Sequence, residues 1–578
     1  MLADKCRHLL SRWCERLLSL QENNTGDKHI DGGLYCPSCN LIHGRCFDAM
    51  YPFLTMASLT GDDKWIKASE NLLNWAENTV LTDTGLFIND VDVEWKGTTV
   101  FTVIQLCDCL LFHSDIISEL FRSRISACIQ KAAKALSGFE ELKTNNVNYP
   151  VSNALALYEA WMVTGIREFR EKSAEYLASA EDIFLDDGLI AGEGCPRSSL
   201  SGRGCHPVDI GYNAEETLVS LARLSILMQD AALQEKVRKS LLSHLEFMLP
   251  DGAWDNSFGT RNFKWTYWGS RTSDGAAEAM LLFSDKAPVF RKAAWKYIEI
   301  LEKNTSSDDL LLGGPDYESM GQAACIHHTF THAKMLASVI DRQIAEIEEP
   351  AVMLPRVEKS GIRTFDSIAT SVVSYDGYTA TVSGYDWRYT SGDHSGGGTM
   401  TLLYGNASGP VIAAGMRDYH IVEKNNMQLP VNIKHHECMI PRIEYEHDGI
   451  LYSSMNDGLA DIRIEGSTII VNGVLKDCEC SGNGGKYSFI YHFRPYRIDM
   501  EVCAEHGVFI LPIIASPESN ADMEPRLIRK DGVSVVSSSD MRFPYSSERI
   551  FNLVPGFAAI RADIELDGKA VRISFDFS

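Results

Sequence analysis

Acidic side chains recur in the loops of the first 345 residues, and two of them could act as a general acid and a general base. Glycoside hydrolysis needs one carboxyl group to protonate the leaving oxygen and a second to activate water or attack carbon. For any single acid, helix capping or a structural salt bridge is the competing role. The acids to which we assign catalysis are Asp209, Glu216, Asp255 and Asp274. Further acids in the same loops are Asp90, Asp92, Glu94, Glu215, Asp316 and Glu318.

The segment 251–275, DGAWDNSFGTRNFKWTYWGSRTSDG, mixes aromatic rings with cations and follows neither a helical nor a strand period. Irregular segments of this length are usually functional. Aromatic rings stack on the C–H faces of sugars, and an arginine fork suits the carboxylate of a uronic acid. The alternative is that the rings only fill a core. We expect stacking from Trp265, Tyr267 and Trp268, and carboxylate binding from Arg261, Lys264, Arg271 or, outside this segment, Arg45.

Tyrosine, histidine and asparagine side chains in these loops admit a second reaction, β-elimination from a uronate. A tyrosine or histidine base removes the proton next to the carboxylate, while a neutral or cationic neighbour neutralises that carboxylate. Tyr212, His206 and Asn148 are the side chains we would assign to this reaction. A glycan-binding protein without catalysis is a third class, which the number of converging acids disfavours. Further substrate contacts are assigned to His43, Trp95, Asn148, His327 and His328.

Some side chains have spacings that metal ligands use, although we assign no cofactor and no metal to this chain. Cys36, Cys39, His43 and Cys46 form C-x2-C-x3-H-x2-C, whose soft ligands could hold zinc. Buried thiols are the preferred interpretation because this spacing is tighter than in the usual zinc motif. Weaker metal candidates are His328 with His332, and the group His394, His420, His435 and His436.

Helical periodicity covers about residues 1–345 and falls into six pairs of helices. The first member of a pair is charged on one face, as in KWIKASENLLNWAE, and the second is apolar on most sides, as in VSNALALYEAWMV. Alternating outer and inner helices predict an (α/α)6 toroid, since a linear solenoid would leave one helix layer facing solvent. The unusual residues precede each inner helix, so their loops should meet at one end of the barrel. The predicted pairs are 2–20 with 43–59, 63–79 with 97–113, 117–136 with 149–163, 167–183 with 211–228, 231–248 with 271–284, and 286–304 with 322–341.

Beyond about residue 350 the pattern changes to short alternating runs separated by glycine, asparagine and aspartate. DIRIEGSTIIVNGVL and YSFIYHFRPYRIDMEVC are examples, and such runs are typical of the antiparallel strands of a sandwich. The predicted fold class is therefore an α+β multidomain chain. It has an (α/α)6 toroid at residues 1–345, a linker at 346–360 and an antiparallel β-sandwich at 361–578.

Composition narrows the class of partner. The 578 residues carry a net charge of −24, and no lysine- or arginine-rich run could follow phosphates, so nucleic acid is excluded as a partner. No apolar run approaches the length of a membrane span. The N-terminus is interrupted by charges, unlike a signal peptide, and the 15 cysteines have scattered spacing, which favours a reducing cytoplasm. The expected partner is a uronic-acid-containing oligosaccharide, and a homo-oligomer stays open.

Several strings in the chain resemble known families. A helical toroid followed by a β-sandwich is similar to the heparinase II/III-like and alginate lyase families. The strings CPSCNLIHGRCFDAMYP, WKGTTVF, GRGCHPVDIGYNAEET, WDNSFGTRNFKWTYWGSRTSDG and IHHTFTHAKMLAS more closely resemble glycoside hydrolase family 154 of gut bacteria, over most of residues 35–340. In the sandwich, SGDHSGGGTMTLLYG resembles the histidine-containing strand of the lyases. The third inner helix carries NNVNYPVSN instead of the Asn-His-type string of those lyases.

The resemblance to family 154 implies a β-glucuronidase-like enzyme that removes glucuronic acid from glycans. With the paired acids, it leads us to expect a hydrolase that removes terminal uronic acid, preferably β-linked glucuronic acid, from oligosaccharides by carboxylate acid and base catalysis. The alternative on the same cleft is a polysaccharide lyase that cleaves uronate-containing glycans by β-elimination with a tyrosine or histidine base.

Overall fold

The computed structural model describes residues 1–90, 93–390 and 396–578. Two candidates from the sequence, Asp92 and His394, lie outside the described residues, as does the beginning of the SGDHSGGGTMTLLYG segment. Helices dominate the described chain up to residue 341, and antiparallel strands dominate it from residue 361 onward. The predicted fold class, a helical toroid followed by an antiparallel β-sandwich, is confirmed.

Six outer helices alternate with six inner helical segments in the described part of the toroid. The outer helices are α1 (Leu2–Ser19), α3 (Lys64–Thr79), α5 (Glu119–Ser137), α7 (Arg167–Ala178), α10 (Ala231–His244) and α12 (Pro288–Lys303). The inner helices are α2 (Met50–Thr60), α4 (Thr99–His113), α6 (Asn148–Thr164), α8 (Ile210–Tyr212) with α9 (Leu218–Leu227), α11 (Ala277–Leu282) and α13 (Ile326–Asp341). A two-stranded hairpin, β1 (Tyr35–Cys36) and β2 (Leu41–Ile42), precedes α2.

The apolar pattern of each helix explains its layer. Outer helix α3 buries Trp65 and Leu72 on one face and exposes charged residues on the other. Inner helix α13 is buried along nearly its whole length, from Ile326 to Ile340, because neighbours enclose it on most sides. The ring closes where α1 packs against α13, and the Leu2 backbone N–H donates to the Ile347 carbonyl at 2.9 Å.

Three inner helices begin differently from the sequence-based prediction. The turn Gly44–Ala49 before α2 is a 3-10 helix, and α8 and α9 are joined by a π-helical turn, Asn213–Thr217. The predicted helix at 271–284 is reduced to Ala277–Leu282. The backbone φ values of Thr272 (69°) and Gly275 (102°) lie in the left-handed region, which an α-helix does not use.

The sandwich is built from three antiparallel sheets. The five-stranded sheet runs in chain order through β3 (Gly361–Phe365), β4 (Thr370–Tyr375), β5 (Tyr378–Ser383), β6 (Thr399–Gly405) and β7 (Gly409–Ala413). The eight-stranded sheet has the order β10 (Asp461–Glu465), β11 (Thr468–Val474), β12 (Lys486–Arg494), β13 (Arg497–Ala504), β21 (Val571–Phe577), β17 (Val533–Ser537), β16 (Leu527–Lys530) and β15 (Ala521–Glu524). The six-stranded sheet has the order β18 (Met541–Arg542), β20 (Phe557–Leu566), β14 (Gly507–Ile514), β8 (Arg442–His447) and β9 (Ile450–Ser453), with β19 (Ile550–Asn552) beside β20.

The five-stranded sheet joins the sandwich to the toroid. Side chains alternate between the two faces of a strand, so Val372 and Leu402 pack into the toroid core while Val373 and Leu403 pack into the sandwich core. The short helix α14 (Pro355–Glu358) lies in the connecting segment, and its buried Arg356 reaches back to the toroid. In the described part of the chain, no helix has the length and apolar character needed to cross a membrane.

Candidate active site

A cleft of about 310 Å³ lies where the loops before the inner helices meet, as the repeat pattern predicts. All six repeats contribute side chains to it, and the sandwich domain closes one side. The side chains that represent the six repeats are Arg45, Trp95, Asn148, Tyr212, Arg261 and His327, and the sandwich domain adds Tyr389 and Glu423.

Tyr212 and Lys264 form a close polar pair in this cleft. The Lys264 ammonium donates to the Tyr212 hydroxyl at 2.8 Å, and the Thr272 hydroxyl lies 2.9 Å from the same oxygen. Burial raises the pKa of Tyr212 well above its usual value, while the Arg261 guanidinium, 3.9 Å from the ring centroid, opposes that rise. Burial and the Arg261 charge lower the pKa of Lys264 to about 8. The phenol therefore keeps its proton, whereas the lysine loses its own in the mildly alkaline range.

Glu423, in the long connection between β7 and β8, holds both cations of this cluster. Its carboxylate lies 2.5 Å from the Lys264 ammonium and 3.0 Å from the Arg261 guanidinium. Burial opposes its ionisation, but these two ion pairs outweigh burial and lower the pKa of Glu423 to about 2. Arg261 also pairs with the buried Glu193 at 3.2 Å. The predicted carboxylate clamp thus lies in the cleft but is engaged by carboxylates of the protein itself.

Asp209 positions Tyr212 from behind the cleft. Its carboxylate caps the short helix α8 by accepting the Tyr212 backbone N–H at 2.9 Å, as an N-cap does. It also accepts the Asn256 amide at 3.0 Å and the Arg261 backbone N–H at 2.7 Å. Asp209 is fully buried and is absent from the described lining of the cleft, so its contacts are those of a structural residue.

Glu216 lines the cleft, and Asp274 lies with it around a small adjoining cavity, where the two carboxyl groups have opposite pKa shifts. Asp274 contacts Arg45 at 3.0 Å and Lys334 at 2.8 Å, and these cations outweigh burial and lower its pKa. Burial, followed by the nearby Asp274 charge, raises the pKa of Glu216 well above its usual value. The Oε1 atom of Glu216 has no hydrogen-bond partner among the described residues. The π-helical turn therefore presents to the cleft a carboxyl group whose surroundings favour its neutral form.

Asn148 and His327 bring unsatisfied polar atoms to the same cleft. Asn148 begins α6, and its side-chain oxygen has no hydrogen-bond partner within the described chain. His327 is buried at the start of α13, and neither of its ring nitrogens has a partner there. Burial lowers the pKa of His327 well below its usual value. Buried polar atoms without partners are rare, and here they face the space that a ligand would occupy.

Trp95 and Tyr149 form an aromatic wall on another side of the cleft. The Trp95 indole N–H donates to the Tyr149 hydroxyl at 2.9 Å, and the two rings meet edge to face at 5.2 Å. Trp95 is half-buried and lines the cleft, and aromatic rings in such positions can stack on sugars. The prediction of Trp95 as a substrate contact is compatible with this position.

The other aromatic residues predicted to stack on a sugar lie in the core instead. Trp265, Tyr267 and Trp268 are each at most 2% exposed and do not belong to the described cleft lining. Their polar atoms donate to the Trp254 carbonyl, the Asp251 carboxylate and the Leu312 carbonyl, respectively. These contacts place the rings in the core, which was the alternative interpretation of segment 251–275.

Four further candidates also lie away from the described lining of the cleft. Arg271 is buried and donates to the Leu553 carbonyl, and His328 packs edge to face on Trp268 at 5.8 Å. The His206 carbonyl accepts the hydroxyl of Tyr385 at 2.8 Å, as part of the contact with the sandwich. Asp255 pairs with Arg356 at 2.6 Å, and both side chains are fully buried. In the structure these four residues make packing and interdomain contacts and do not face the cleft.

The cluster of cysteines in the structure differs in one member from the motif proposed from the sequence. Cys36, Cys39 and His43 converge as their spacing suggests, but Cys46 points elsewhere, and its sulfur accepts the Leu34 backbone N–H at 3.5 Å. The fourth member is Cys325, which precedes α13. Cys325 is almost 280 residues from Cys46 in sequence, so no local motif could have identified it.

Four residues in or beside the cleft were not predicted from the sequence, because their position depends on distant packing. Tyr389 and Glu423 line the cleft. Beside it, Glu193 pairs with Arg261 and Lys334 pairs with Asp274. Glu423 lies in IVEKNNMQLP, a polar connection between predicted strands. Only its approach to Arg261, 162 residues earlier, makes it part of the site.

Solved structures share the architecture of a toroid followed by a sandwich. The chondroitin AC lyase of Streptomyces coelicolor A3, in complex with chondroitin sulphate, aligns over 100% of this chain and 79% of its own, with a TM-score of 0.54 and 11% identity. Heparinase III aligns over 98% of this chain and 84% of its own, with a TM-score of 0.55 and 13% identity. At these identities the likeness shows the fold alone, and it defines the class as toroid–sandwich proteins.

Sequence comparison gives the family within this class. Models of the ulvan lyase N-terminal domain and the ulvan lyase C-terminal domain match residues 10–356 and 362–578. The broad-specificity ulvan lyase of Formosa agariphila is 36% identical over 583 residues, which cover 96% of this chain and 91% of the relative. The chain belongs to the ulvan lyase family.

This membership corrects two expectations from the sequence. The resemblance to glycoside hydrolase family 154 is wrong, and so is the expectation of a β-glucuronidase-like hydrolase. The physical reason is visible in the acids on which that expectation depended. Asp209 and Asp255 are bound in structural contacts, and Asp274 is held by two cations.

Proposed function

We propose that this protein is a polysaccharide lyase that cleaves ulvan, a uronate-containing polysaccharide, by β-elimination. The observation that carries this proposal is the meeting of Asn148, Tyr212 and His327 in one cleft, where Asn148 and His327 have polar atoms without a partner in the described part of the chain. Membership in the ulvan lyase family supports the substrate, since the Formosa agariphila relative is a broad-specificity ulvan lyase.

The first requirement of the reaction is to neutralise the uronate carboxylate, because this makes the proton on the adjacent carbon more acidic. Asn148 can donate from its amide without adding charge. Glu216, whose burial favours the neutral carboxyl group, can in that form donate a hydrogen bond to the carboxylate. Two neutral donors suit this task because neither repels the substrate, and Arg45 lies beside them as a fixed positive charge.

The second requirement is a base and an acid for two proton transfers. Neither ring nitrogen of His327 has a hydrogen-bond partner among the described residues, so we assign His327 the removal of the proton from the carbon next to the carboxylate. Tyr212 carries a proton before the reaction, and we assign Tyr212 the transfer of that proton to the leaving glycosidic oxygen. The C–H bond breaks, a carbon–carbon double bond forms, and the C–O bond to the leaving sugar breaks. The Lys264 ammonium, 2.8 Å from the Tyr212 hydroxyl, stabilises the phenolate that forms when Tyr212 gives up its proton.

The decisive experiment is to incubate the protein with ulvan and to follow ultraviolet absorbance and product mass together. β-Elimination produces a conjugated unsaturated uronate, and the two fragments together weigh as much as the starting chain. Hydrolysis adds one water and leaves both fragments saturated. Ulvan whose carboxylates have been reduced to alcohols serves as the control and should be inert, because its ring proton is no longer acidic. Saturated products, or equal cleavage of reduced ulvan, would overturn the proposal.

A further inference from the structure

Three cysteines and one histidine from the two ends of the toroid sequence form a compact cluster. They are Cys36, Cys39, His43 and Cys325, and one ligand atom from each lies within 4.8 Å of the others. Cys36, His43 and Cys325 are buried, whereas Cys39 is partly exposed. A small ion could therefore reach the cluster from the side of Cys39.

The distances within the cluster match a tetrahedral metal site. The sulfur of Cys325 lies 3.9 Å from that of Cys36, 3.5 Å from that of Cys39 and 3.3 Å from Nε2 of His43. Zinc holds sulfur at about 2.3 Å and imidazole nitrogen at about 2.0–2.1 Å, so its tetrahedral ligands are about 3.6–3.8 Å apart. The observed distances scatter around this value by a few tenths of an ångström.

Local structure presents these ligands from three separate elements. Cys36 ends β1 and Cys39 lies in the tight turn of the hairpin, while His43 precedes the 3-10 turn that leads into α2. Cys325 immediately precedes α13. The cluster therefore joins the first repeat to the sixth, at the seam where the ring of helices closes.

The surroundings of His43 also fit a metal ligand. Asp90 lies 3.7 Å from Nδ1, the ring nitrogen that faces away from the cysteines, and it accepts the Gly44 backbone N–H at 2.7 Å. A carboxylate on this side orients a metal-binding imidazole and selects its tautomer. On its other side the ring meets that of His327 at 5.3 Å, which connects the cluster to the cleft wall.

A disulfide explains the cluster less well. A bond between two of the sulfurs would bring that pair to about 2.05 Å and would leave the third sulfur and the imidazole without a role. All four groups instead converge on one point, and the structure has each of these cysteines as a free thiol.

We propose that Cys36, Cys39, His43 and Cys325 bind one zinc ion that ties the first repeat of the toroid to the sixth. The ligands are three thiolates and one neutral imidazole, so binding releases the three thiol protons. Because four protein ligands close the coordination sphere, the site is structural and takes no part in the elimination. It supports the wall of the cleft through His43.

The test uses the full-length protein, expressed with added zinc and purified without chelator. Elemental analysis should find one zinc per chain in the wild type. Cys325→Ser should lose most of it, whereas Cys46→Ser, which changes a buried cysteine of the same segment outside the cluster, should keep it. The zinc X-ray absorption spectrum of the wild type should show three sulfur neighbours and one nitrogen neighbour. This spectrum tests the proposal even if Cys325→Ser does not fold.

Other results would overturn the proposal. They are a wild-type protein that stays free of zinc after reconstitution, full zinc content in Cys325→Ser, or a zinc shell of oxygen and nitrogen only. An intact mass two hydrogens below the reduced value, mapped to a bond between Cys39 and Cys325, would replace the metal with a disulfide. These readouts do not depend on ulvan cleavage, so the zinc site and the proposed function can fail separately.

Discussion

Glu423 of the sandwich domain forms an ion pair of 2.5 Å with Lys264 of the toroid. The same lysine donates to the Tyr212 hydroxyl at 2.8 Å, so a residue of the second domain sets the charge around a proposed catalytic residue of the first. The site is therefore complete only when the two domains are packed together.

The first prediction concerns the pH dependence that Lys264 gives to the reaction, which this ion pair shifts to higher pH. Lys264 has a pKa of about 8 and stabilises the Tyr212 phenolate only while protonated. The value of kcat/KM should therefore be maintained below about pH 8 and fall as pH rises through it. Glu423→Gln removes a charge that favours the ammonium form, so the falling limb should move to lower pH. Lys264→Met should remove this limb altogether, and an unchanged limb in Glu423→Gln would contradict the assignment to Lys264.

The second prediction concerns Tyr212. Tyr212→Phe keeps the ring under Arg261 but removes the proposed acid, so kcat on ulvan should fall about 10²–10⁴-fold. Tyr149→Phe is the matched control, since it removes a hydroxyl of the same cleft that accepts the Trp95 N–H and has no role in the proposed proton transfers. Circular dichroism should show both variants folded. Similar losses in the two variants would mean that Tyr212 has no special role in proton transfer.

The third prediction separates two neighbouring histidines. His327→Gln removes the proposed base from the cleft, and turnover should drop by about two orders of magnitude or more. His328→Gln changes the next residue, which packs behind the cleft on Trp268, and should affect thermal stability more than kcat. Steady-state kinetics and a melting curve of each variant provide the comparison. A large kcat loss in His328→Gln alone would move the base away from His327.

The fourth prediction treats Asp255 as a structural residue. Its 2.6 Å pair with Arg356 is fully buried, and loss of one partner of such a pair costs about 3–5 kcal/mol. Asp255→Ala should therefore lower the thermal midpoint clearly, while folded protein keeps its kcat. Glu346→Gln breaks the exposed pair with Arg7 and should change stability by at most about 1 kcal/mol. Loss of kcat in fully folded Asp255→Ala would return Asp255 to the list of catalytic candidates.

The sequence by itself determined the architecture. The spacing of the apolar residues switches from helical to alternating near residue 350. This spacing reflects which face of a helix or strand is buried, so each short segment of the sequence indicates its own secondary structure. The grouping of unusual residues before each inner helix likewise predicted that Asn148, Tyr212 and His327 would face one cleft.

Only the tertiary structure decided what these residues can do. The sequence showed which acids are present but not which of them cap a helix, as Asp209 does, or meet a buried cation, as Asp255 does. The sequence could not show that Cys325, and not Cys46, belongs to the cluster, or that Glu423 pairs with Lys264. Both contacts join segments that lie far apart in the chain. Charge state and hydrogen bonding depend on such distant neighbours, whereas helices and strands depend mainly on nearby ones.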